Sequence, residues 1–208
     1  MRILVITGAS GGHIFPALGF LDILRDKYKD ISTLLVLPRI NNIINQMQKF
    51  DYQVKYISVS SIKLNLDFKN FMAIFRFFKG TLESIVILLS FKPDIVVGFG
   101  SLVSVPMVML AWLLRIKTLI HEQNVIPGRA NRFLARFNDK IAVSFAETEG
   151  YLKKYKRKVV LTGNPIRREL LQIDKNKALN FFGFSNNKFT ILIVGGSLGS
   201  HRINLGFL

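Results

Sequence analysis

The chain has 208 residues, of which 50% are hydrophobic and 20% are charged, and this balance excludes an intrinsically disordered protein. It contains no cysteine, which excludes disulfide frameworks, thiolate metal sites and cysteine nucleophiles, and three histidines are too few for a histidine-rich metal site. The formal net charge is +16, so we expect its surface to attract polyanions such as anionic lipids, nucleic acids or phosphorylated substrates.

Two apolar stretches raise the question of a membrane segment or a signal peptide. The first run, MRILVITGASGG, is too short for a signal peptide, so we expect a cytoplasmic location. Residues 95–114 contain no charged side chain, and twenty such residues could span a bilayer. Glycine, serine and proline interrupt this second stretch, which favours a buried strand, a turn and a helix instead.

Apolar runs rich in β-branched residues alternate with helical stretches along the chain. Eight strands are predicted, at 3–7, 33–37, 54–57, 94–97, 118–121, 140–143, 159–162 and 190–194. Helices are predicted at 14–28, 41–50, 68–91, 102–115, 128–137, 146–155, 175–182 and from about Ser200. This order predicts an α/β fold with a doubly wound parallel sheet, whose ligands lie beyond the carboxyl ends of the strands.

A domain boundary is predicted near Gly163-Asn-Pro165. Residues 1–163 would form a first Rossmann-like domain, and residues 164–208 a linker with the first strand and helix of a second. The reason is that residues 191–200, ILIVGGSLGS, repeat the pattern of residues 3–12, ILVITGASGG. One strand and one helix cannot form a core, so we expect the natural chain to be longer.

The first candidate site is the glycine-rich loop Gly8-Ala-Ser-Gly-Gly-His13, between the first strand and the first helix. Glycines let the backbone approach a ligand and leave helix N–H groups free for a phosphate or sugar oxygen. The loop lacks the lysine of a Walker A motif and the spacing G-x-G-x-x-G, and a plain strand–helix turn is the alternative. His13 could accept a proton there, or it could be a capping or surface residue.

Three further polar segments follow later strands. His121-Glu-Gln-Asn124 lacks the HExxH spacing of a zinc site and is either a binding segment or a polar loop. Arg167 is either a partner for a diphosphate, through its fork of donors, or a solvated linker residue. Residues 195–199, with the hydroxyl of Ser197, form a second glycine-rich turn. Each motif is weak alone, but the ordered set indicates two lobes that face one cleft.

Together these motifs resemble those of the MurG family, the N-acetylglucosaminyltransferases of peptidoglycan synthesis, which have the two-domain GT-B fold. The family patterns G-G-T-G-G-H-x-F-P-A-L, H-E-Q-N-x-x-P-G-x-x-N-R, T-G-N-P-V-R and G-G-S-x-G-A correspond to residues 8–18, 121–132, 162–167 and 195–200. The chain departs from the family at Ala9, Ser10 and Leu198. It also departs over residues 98–106, where GFGSLVSVP replaces G-x-G-G-Y-x-S-G-P.

The resemblance implies inverting transfer of N-acetylglucosamine from UDP-N-acetylglucosamine to the 4-hydroxyl of undecaprenyl-diphospho-N-acetylmuramoyl-pentapeptide, without a cofactor or a metal. His13 is the candidate base, and Glu122 is its rival. Contacts with UDP-N-acetylglucosamine are implied for Ser10, Gly11, Gly12, Asn124, Arg167 and Ser197, and contacts with the acceptor diphosphate for Gly100, Ser101 and Ser104. Because most of the family's second domain is missing, we expect the 208-residue chain alone to be inactive.

The helix that begins at residue 68 combines aromatic and basic side chains. At helical spacing Phe71 and Phe75 share one face, and Lys69 and Arg76 lie seven residues apart on another. This pattern is typical of helices that lie in a bilayer interface, although an aromatic face packed in the core is the alternative. We therefore expect peripheral binding to the anionic cytoplasmic face of the bacterial plasma membrane.

Two other functions stay open. A basic nucleic-acid-binding protein would explain the net charge of +16, but it would explain neither the two glycine-rich turns nor the HEQN segment, so we expect no nucleic-acid partner. Another GT-B nucleotide-sugar transferase would explain both motifs, and the altered loop at residues 98–106 is the best argument for it.

Overall fold

The computed structural model describes residues 1–47, 50–59, 68–185, 188–195 and 199–206, with the side chains of all of these except 46 and 68–74. The chain divides into two compact units, Met1–Arg167 and Arg168–Leu208. The first unit contains the sheet and most of the helices.

The first unit is built on one seven-stranded sheet in which every neighbouring pair of strands is parallel. Its strands are β1 (Arg2–Ile6), β2 (Ser32–Pro38), β3 (Val54–Ile57), β4 (Ile95–Gly98), β5 (Lys117–Glu122), β6 (Lys140–Val143) and β7 (Val159–Leu161). Their order is β3-β2-β1-β4-β5-β6-β7, so the winding direction reverses between β1 and β4. This confirms the predicted α/β fold with a doubly wound parallel sheet. Each of the first seven predicted strands lies within one residue of its observed bounds.

Helices cover both faces of the sheet. They are α1 (Gly11–Lys27), α2 (Asn41–Met47), α3 (Phe68–Phe91), α4 (Ser104–Leu113) and α5 (Arg129–Leu134). The helix predicted at 146–155 is instead a pair of 3₁₀ helices, Ala146–Tyr151 and Lys153–Lys158, since Leu152 between them turns away from helical geometry and buries its side chain. Among the described helices, none is both long enough and apolar enough to cross a membrane.

Alternate side chains of the central strands supply two separate cores. Leu4 and Ile6 of β1 pack into one core with side chains of α3, α4 and α5. Ile3 and Val5 of the same strand pack into the other, with side chains of α1 and α2. A strand that is buried on both faces needs apolar residues at every position, which explains why the strands were recognisable as continuous apolar runs.

The described residues of the second unit contain three short helices, α6 (Arg168–Leu171), α7 (Lys175–Phe182) and α8 (His201–Gly206), of which α7 and α8 were predicted. The strand predicted at 190–194 is wrong, since residues 188–195 contain no strand and the side chains of Ile191 and Leu192 are 70% and 83% exposed. A strand forms only where neighbours accept and donate its backbone hydrogen bonds, and no described strand pairs with this segment. The domain boundary at 163 stays a prediction.

Candidate active site

The candidate site lies at the carboxyl edge of the sheet. Strand β1 pairs with β4 and β4 pairs with β5, so the loops that follow these strands are neighbours. A cavity of about 590 Å³ opens among them, and the residues lining it include His13, Gly100, Ser101, Glu122, Asn124 and Asn131. The glycine-rich loop, the loop at residues 98–106 and the HEQN segment therefore meet at one place.

The glycine-rich loop forms the first turn of α1. The carbonyl oxygen of Ser10 accepts backbone hydrogen bonds of 2.9 Å from His13 and from Ile14, while the Ser10 side chain makes no capping hydrogen bond. Ser10 and Gly12 are exposed and Gly11 is half-buried. Three of the residues implied to contact the nucleotide sugar are thus accessible, and their contact with it stays a prediction.

Gly8 allows the first loop to pack closely against the loop after β4. A Cβ atom at Gly8 would lie only 2.4 Å from the Cβ of Ser101, a separation that real side chains do not reach. Any larger residue at this position would push the two loops apart.

The ring of His13 is half-buried and held on several sides. A Cβ atom at Gly100 would lie 3.2 Å from its Cε1, and one at Gly8 would lie 3.2 Å from its Cδ2. Its Nδ1 lies 3.1 Å from Oε1 of Gln123. The ring therefore lies close to residues almost 90 and 110 positions away in sequence.

The carboxylate of Glu122 is buried, with 1% of the residue exposed. Its Oε1 accepts hydrogen bonds from the backbone N–H of Asn124 at 2.9 Å and from the Asn124 side chain at 3.1 Å. Its Oε2 accepts from the backbone N–H of Gly128 at 2.9 Å and from the Asn131 side chain at 2.8 Å. These four donors occupy the acceptor positions that a carboxylate offers, so Glu122 shapes the loop between β5 and α5.

His121 and Glu122 are the last two residues of β5, which extends one residue beyond the end of the predicted strand at 118–121. They lie in the strand because they pair in register with Ala142 and Val143 of β6. The apolar pattern of the strand ends before its backbone pairing does, and only the neighbouring strand shows where the pairing stops.

His121 is buried and lies between an aromatic ring and a backbone carbonyl. Its ring stacks on Phe99, with the centroids 5.2 Å apart, and its Nε2 donates a 3.0 Å hydrogen bond to the carbonyl oxygen of Gly163. Burial lowers the pKa of His121, and the smaller, opposing effects of the Gly163 carbonyl and the Glu122 charge do not cancel this. The ring is therefore neutral near pH 7.

The loop after β4 adopts left-handed backbone conformations. Gly100 has φ +82° and Ser101 has φ +69°. Residues other than glycine rarely adopt such positive values of φ. Ser104 is fully buried, and its hydroxyl donates to the carbonyl oxygen of Gly100. Only a rearrangement of the loop would bring the Ser104 side chain to a ligand, and the diphosphate contacts of all three residues stay predictions.

Arg167 packs on the first helix. The guanidinium carbon lies 4.3 Å from the ring centroid of Phe15. The preceding residue, Ile166, lies so close to α1 that a Cβ atom at Gly19 would be 2.8 Å from its carbonyl carbon. Ser197, the predicted hydroxyl donor of the second glycine-rich turn, lies outside the described residues.

Helix α3 carries an exposed apolar stripe along one side. Its members are Phe75, Phe78, Leu82, Val86 and Leu89, each between 59% and 66% exposed and spaced three or four residues apart. At Phe75 the aromatic face is therefore not packed in the core, and Arg76 beside it is exposed. Phe71 and Lys69, the other two predicted membrane residues, belong to α3, but their side chains are not among those that the structure describes.

Sequence reasoning missed two polar residues that contact the predicted ones. Gln123 contacts His13, and Asn131, which is buried, donates to the backbone carbonyl of His121 as well as to Glu122. Both belong to the segment HEQNVIPGRANR, so their place in that motif was the available signal. Only the structure shows that they face the candidate base and its rival.

The chain is similar to known proteins along almost its whole length. Residues 3–143 match the family model described as Glycosyltransferase family 28 N-terminal domain. A curated relative from Alkaliphilus metalliredigens is named UDP-N-acetylglucosamine–N-acetylmuramyl-(pentapeptide) pyrophosphoryl-undecaprenol N-acetylglucosamine transferase. It is 40% identical over 204 residues, which is 98% of this chain and 56% of the relative. A relative of the same name from Bacillus pumilus has the same identity and coverage, so the chain spans just over half the length of the curated relatives it matches.

Solved structures are similar over most of the chain. MurG from Acinetobacter baumannii has a TM-score of 0.61 and 25% identity, and the match covers 70% of this chain and 42% of that one. UDP-GlcNAc 2-epimerase from Neisseria meningitidis also has a TM-score of 0.61, at 20% identity over 90% of this chain and 55% of that one, which is a likeness of fold alone. The resemblance indicated by the four motifs is thus confirmed. Because the family model covers more than half of its residues, the chain belongs to glycosyltransferase family 28, through that family's N-terminal domain.

Proposed function

We propose that this chain is the acceptor-binding half of an inverting N-acetylglucosaminyltransferase. The protein that contains it would transfer N-acetylglucosamine from UDP-N-acetylglucosamine to the 4-hydroxyl of undecaprenyl-diphospho-N-acetylmuramoyl-pentapeptide. The names of relatives at 40% identity support this reaction. Since the chain spans 56% of their length, the reaction is proposed for the whole protein.

The observation that carries the proposal is the position of His13 at the cavity. Its ring lines the cavity, and within the described part of the chain its Nε2 has no hydrogen-bond partner. The rival base, Glu122, already accepts four hydrogen bonds. His13 is therefore the better base, and Glu122 is the residue that orders the loop around it.

In the proposed step, Nε2 of His13 takes the proton of the acceptor 4-hydroxyl. The hydroxyl oxygen attacks the anomeric carbon of N-acetylglucosamine from the face opposite UDP, and the bond from that carbon to the UDP oxygen breaks with inversion. Positive or dipolar groups must then receive the charge of the leaving diphosphate. This chain needs no metal or cofactor for the step as proposed.

The nucleotide sugar would contact residues of the first turn of α1, the loop after β5 and the segment after β7. Ser10, Gly11 and Gly12 at the first turn of α1 offer a hydroxyl and backbone N–H groups, as anion sites at helix N-termini do. Asn124 keeps its side-chain oxygen for a substrate hydroxyl, since its amide group donates to Glu122. Arg167 would contact the diphosphate, and Ser197 is proposed as a further contact from the sequence alone.

The proposed acceptor is attached to a lipid and is therefore held in a membrane, so the protein must bind the membrane surface to reach it. We assign this role to the exposed stripe of α3, whose aromatic residues Phe75 and Phe78 lie beside Arg76 and Lys79. Apolar side chains would enter the interface, and the cations would attract an anionic leaflet by about 1 kcal/mol each. The protein would thus bind the cytoplasmic face of the membrane peripherally, with no nucleic acid as partner.

A chimera tests the proposed function. Residues 1–167 of this chain would be joined to the remaining part of the Alkaliphilus metalliredigens relative, and transfer of labelled N-acetylglucosamine to the lipid-linked acceptor would be measured. We expect transfer by the chimera and none by the 208-residue chain alone, because positioning both reactants supplies much of the rate. A folded chimera that binds both substrates but transfers nothing would contradict the proposal.

A further inference from the structure

A chain of three hydrogen bonds links residues that are far apart in sequence. Nδ1 of His13 lies 3.1 Å from Oε1 of Gln123, and Nε2 of Gln123 lies 3.3 Å from Nδ1 of His121. Nε2 of His121 lies 3.0 Å from the carbonyl oxygen of Gly163. These three hydrogen bonds join the first turn of α1, the end of β5 and the segment after β7.

The direction of these hydrogen bonds follows from the last one. A backbone carbonyl can only accept, so Nε2 of His121 carries a proton. The buried ring is neutral near pH 7, which leaves its Nδ1 as an acceptor. Gln123 must therefore direct its NH₂ group toward His121.

Two further carbonyl groups require the same orientation of the Gln123 amide. The backbone oxygens of Phe99 and His121 each lie 3.3 Å from Nε2 of Gln123, and neither oxygen can donate. With the NH₂ group directed there, the amide oxygen faces His13. Because an amide oxygen only accepts, Nδ1 of His13 carries its proton in this hydrogen bond.

We infer that Gln123 is a positioning residue that holds His13 in the tautomer protonated at Nδ1, leaving the Nε2 lone pair free to take a proton. The part of this inference that concerns catalysis rests on the proposed function, in which His13 is the base. The other neutral tautomer carries its proton on Nε2 and cannot act as a base at that atom. A Cβ atom at Gly100 would lie 3.4 Å from Nδ1 of His13, so the loop after β4 leaves little free space at this edge of the ring.

Nitrogen NMR on the 208-residue chain tests the inference without any measurement of activity. The chain has three histidines, His13, His121 and His201, so ¹⁵N labelling with three His→Asn variants assigns every ring nitrogen. We expect His13 to be protonated at Nδ1 and unprotonated at Nε2 near pH 7.5. A proton on Nε2 of His13, or rapid exchange between tautomers in the wild-type chain, would overturn the inference.

Variants at position 123 test the role of the amide. Gln123→Met keeps the length of the side chain but removes both hydrogen-bonding groups, so the single tautomer of His13 should become a mixture of two. Gln53→Met is the matched control, since the Gln53 side chain is exposed and far from the site in sequence, and it should leave the tautomer unchanged. An unchanged single tautomer in Gln123→Met would also overturn the inference.

A second variant separates positioning from folding. Gln123→Glu keeps an oxygen that accepts from Nδ1 of His13 but loses the NH₂ donor to Phe99 and His121, so it should retain the Nδ1 tautomer if the oxygen alone sets it. If neither variant folds, the tautomer measured in the wild-type chain decides the inference. The outcome is distinct from a failure of the proposed function. If His13 has the expected tautomer but His13→Ala does not slow transfer by the chimera, the proposed base is wrong while the positioning by Gln123 stands.

Discussion

The carboxylate of Glu122 accepts a 2.8 Å hydrogen bond from the side chain of Asn131, nine positions further along the chain. This bond and three others surround a buried carboxylate with neutral donors. Protonation of this carboxylate would weaken these hydrogen bonds, because one oxygen would lose an acceptor position and bonds to a charged group are stronger than bonds to a neutral one. A group whose protonation would loosen its own loop is a poor base, which supports the proposal that His13 has this role.

The first prediction distinguishes the roles of His13 and Glu122 by the effects of their variants on turnover and on stability. In the chimera, His13→Ala should lower turnover by about 10²–10⁴-fold with little loss of stability, the usual effect of removing one general base. Glu122→Gln should lower the free energy of unfolding by about 1–3 kcal/mol, because the two donors that share one carboxylate oxygen would then face an NH₂ group. Steady-state kinetics and urea unfolding measure the two effects, with Lys27→Ala on α1 as the control. Near-normal turnover by His13→Ala would move the role of base elsewhere.

The second prediction concerns the nucleotide sugar. The guanidinium of Arg167 is held over the ring of Phe15, so it is already ordered before a diphosphate arrives. Arg167→Ala should weaken binding of UDP-N-acetylglucosamine by about 1.5–3 kcal/mol, the range for a hydrogen bond to a charged group. Calorimetric titration of the chimera measures this change, and Arg157→Ala, a loss of an exposed charge, should have little effect. An unchanged affinity would reject the contact.

The fold was predictable because the strands are buried on both faces, so the apolar runs mark them directly. The strand predicted at 190–194 shows the limit of this reasoning, since its composition is that of a strand but no described strand supplies hydrogen bonds to it. In the site, the motifs located His13 and the HEQN segment. They could not show that Gln123 meets His13 across 110 residues, because that contact depends on how two strand ends lie side by side.

The third prediction concerns strain in the loop after β4. Ser101 has φ +69°, where a Cβ atom is unfavourable, and the family pattern has glycine at this place. Ser101→Gly should therefore raise the free energy of unfolding by up to about 1 kcal/mol. Ser90→Gly is the matched control, because Ser90 lies in the last turn of α3 and glycine there should lower the stability by up to about 0.5 kcal/mol. Urea unfolding distinguishes the two signs, and destabilisation by Ser101→Gly would contradict the argument.

The fourth prediction concerns the membrane. The double variant Phe75→Ser and Phe78→Ser should lose binding to vesicles that contain anionic phospholipid, since both rings are more than 60% exposed. Arg76→Glu with Lys79→Glu should also weaken binding, and salt should weaken the wild-type interaction because exposed charges are screened beyond about 10 Å at 0.1 M. Phe189→Ser, which removes an exposed ring from the second unit, is the control. Vesicle sedimentation that shows equal binding by all variants would remove α3 from the interface.

The fifth prediction concerns pH. Burial lowers the pKa of His121 in the folded chain below its ordinary value of about 6.5, so the unfolded chain binds a proton more readily than the folded one. Stability should therefore be fully present above about pH 6.5 and fall as the pH drops through that value, by at most about 1.4 kcal/mol per pH unit. Urea unfolding between pH 7.5 and 5 tests this, with His121→Gln expected to flatten the dependence and His201→Gln, an exposed histidine, expected to leave it unchanged. Equal pH dependence in the wild-type chain and in His121→Gln would show that another group is responsible.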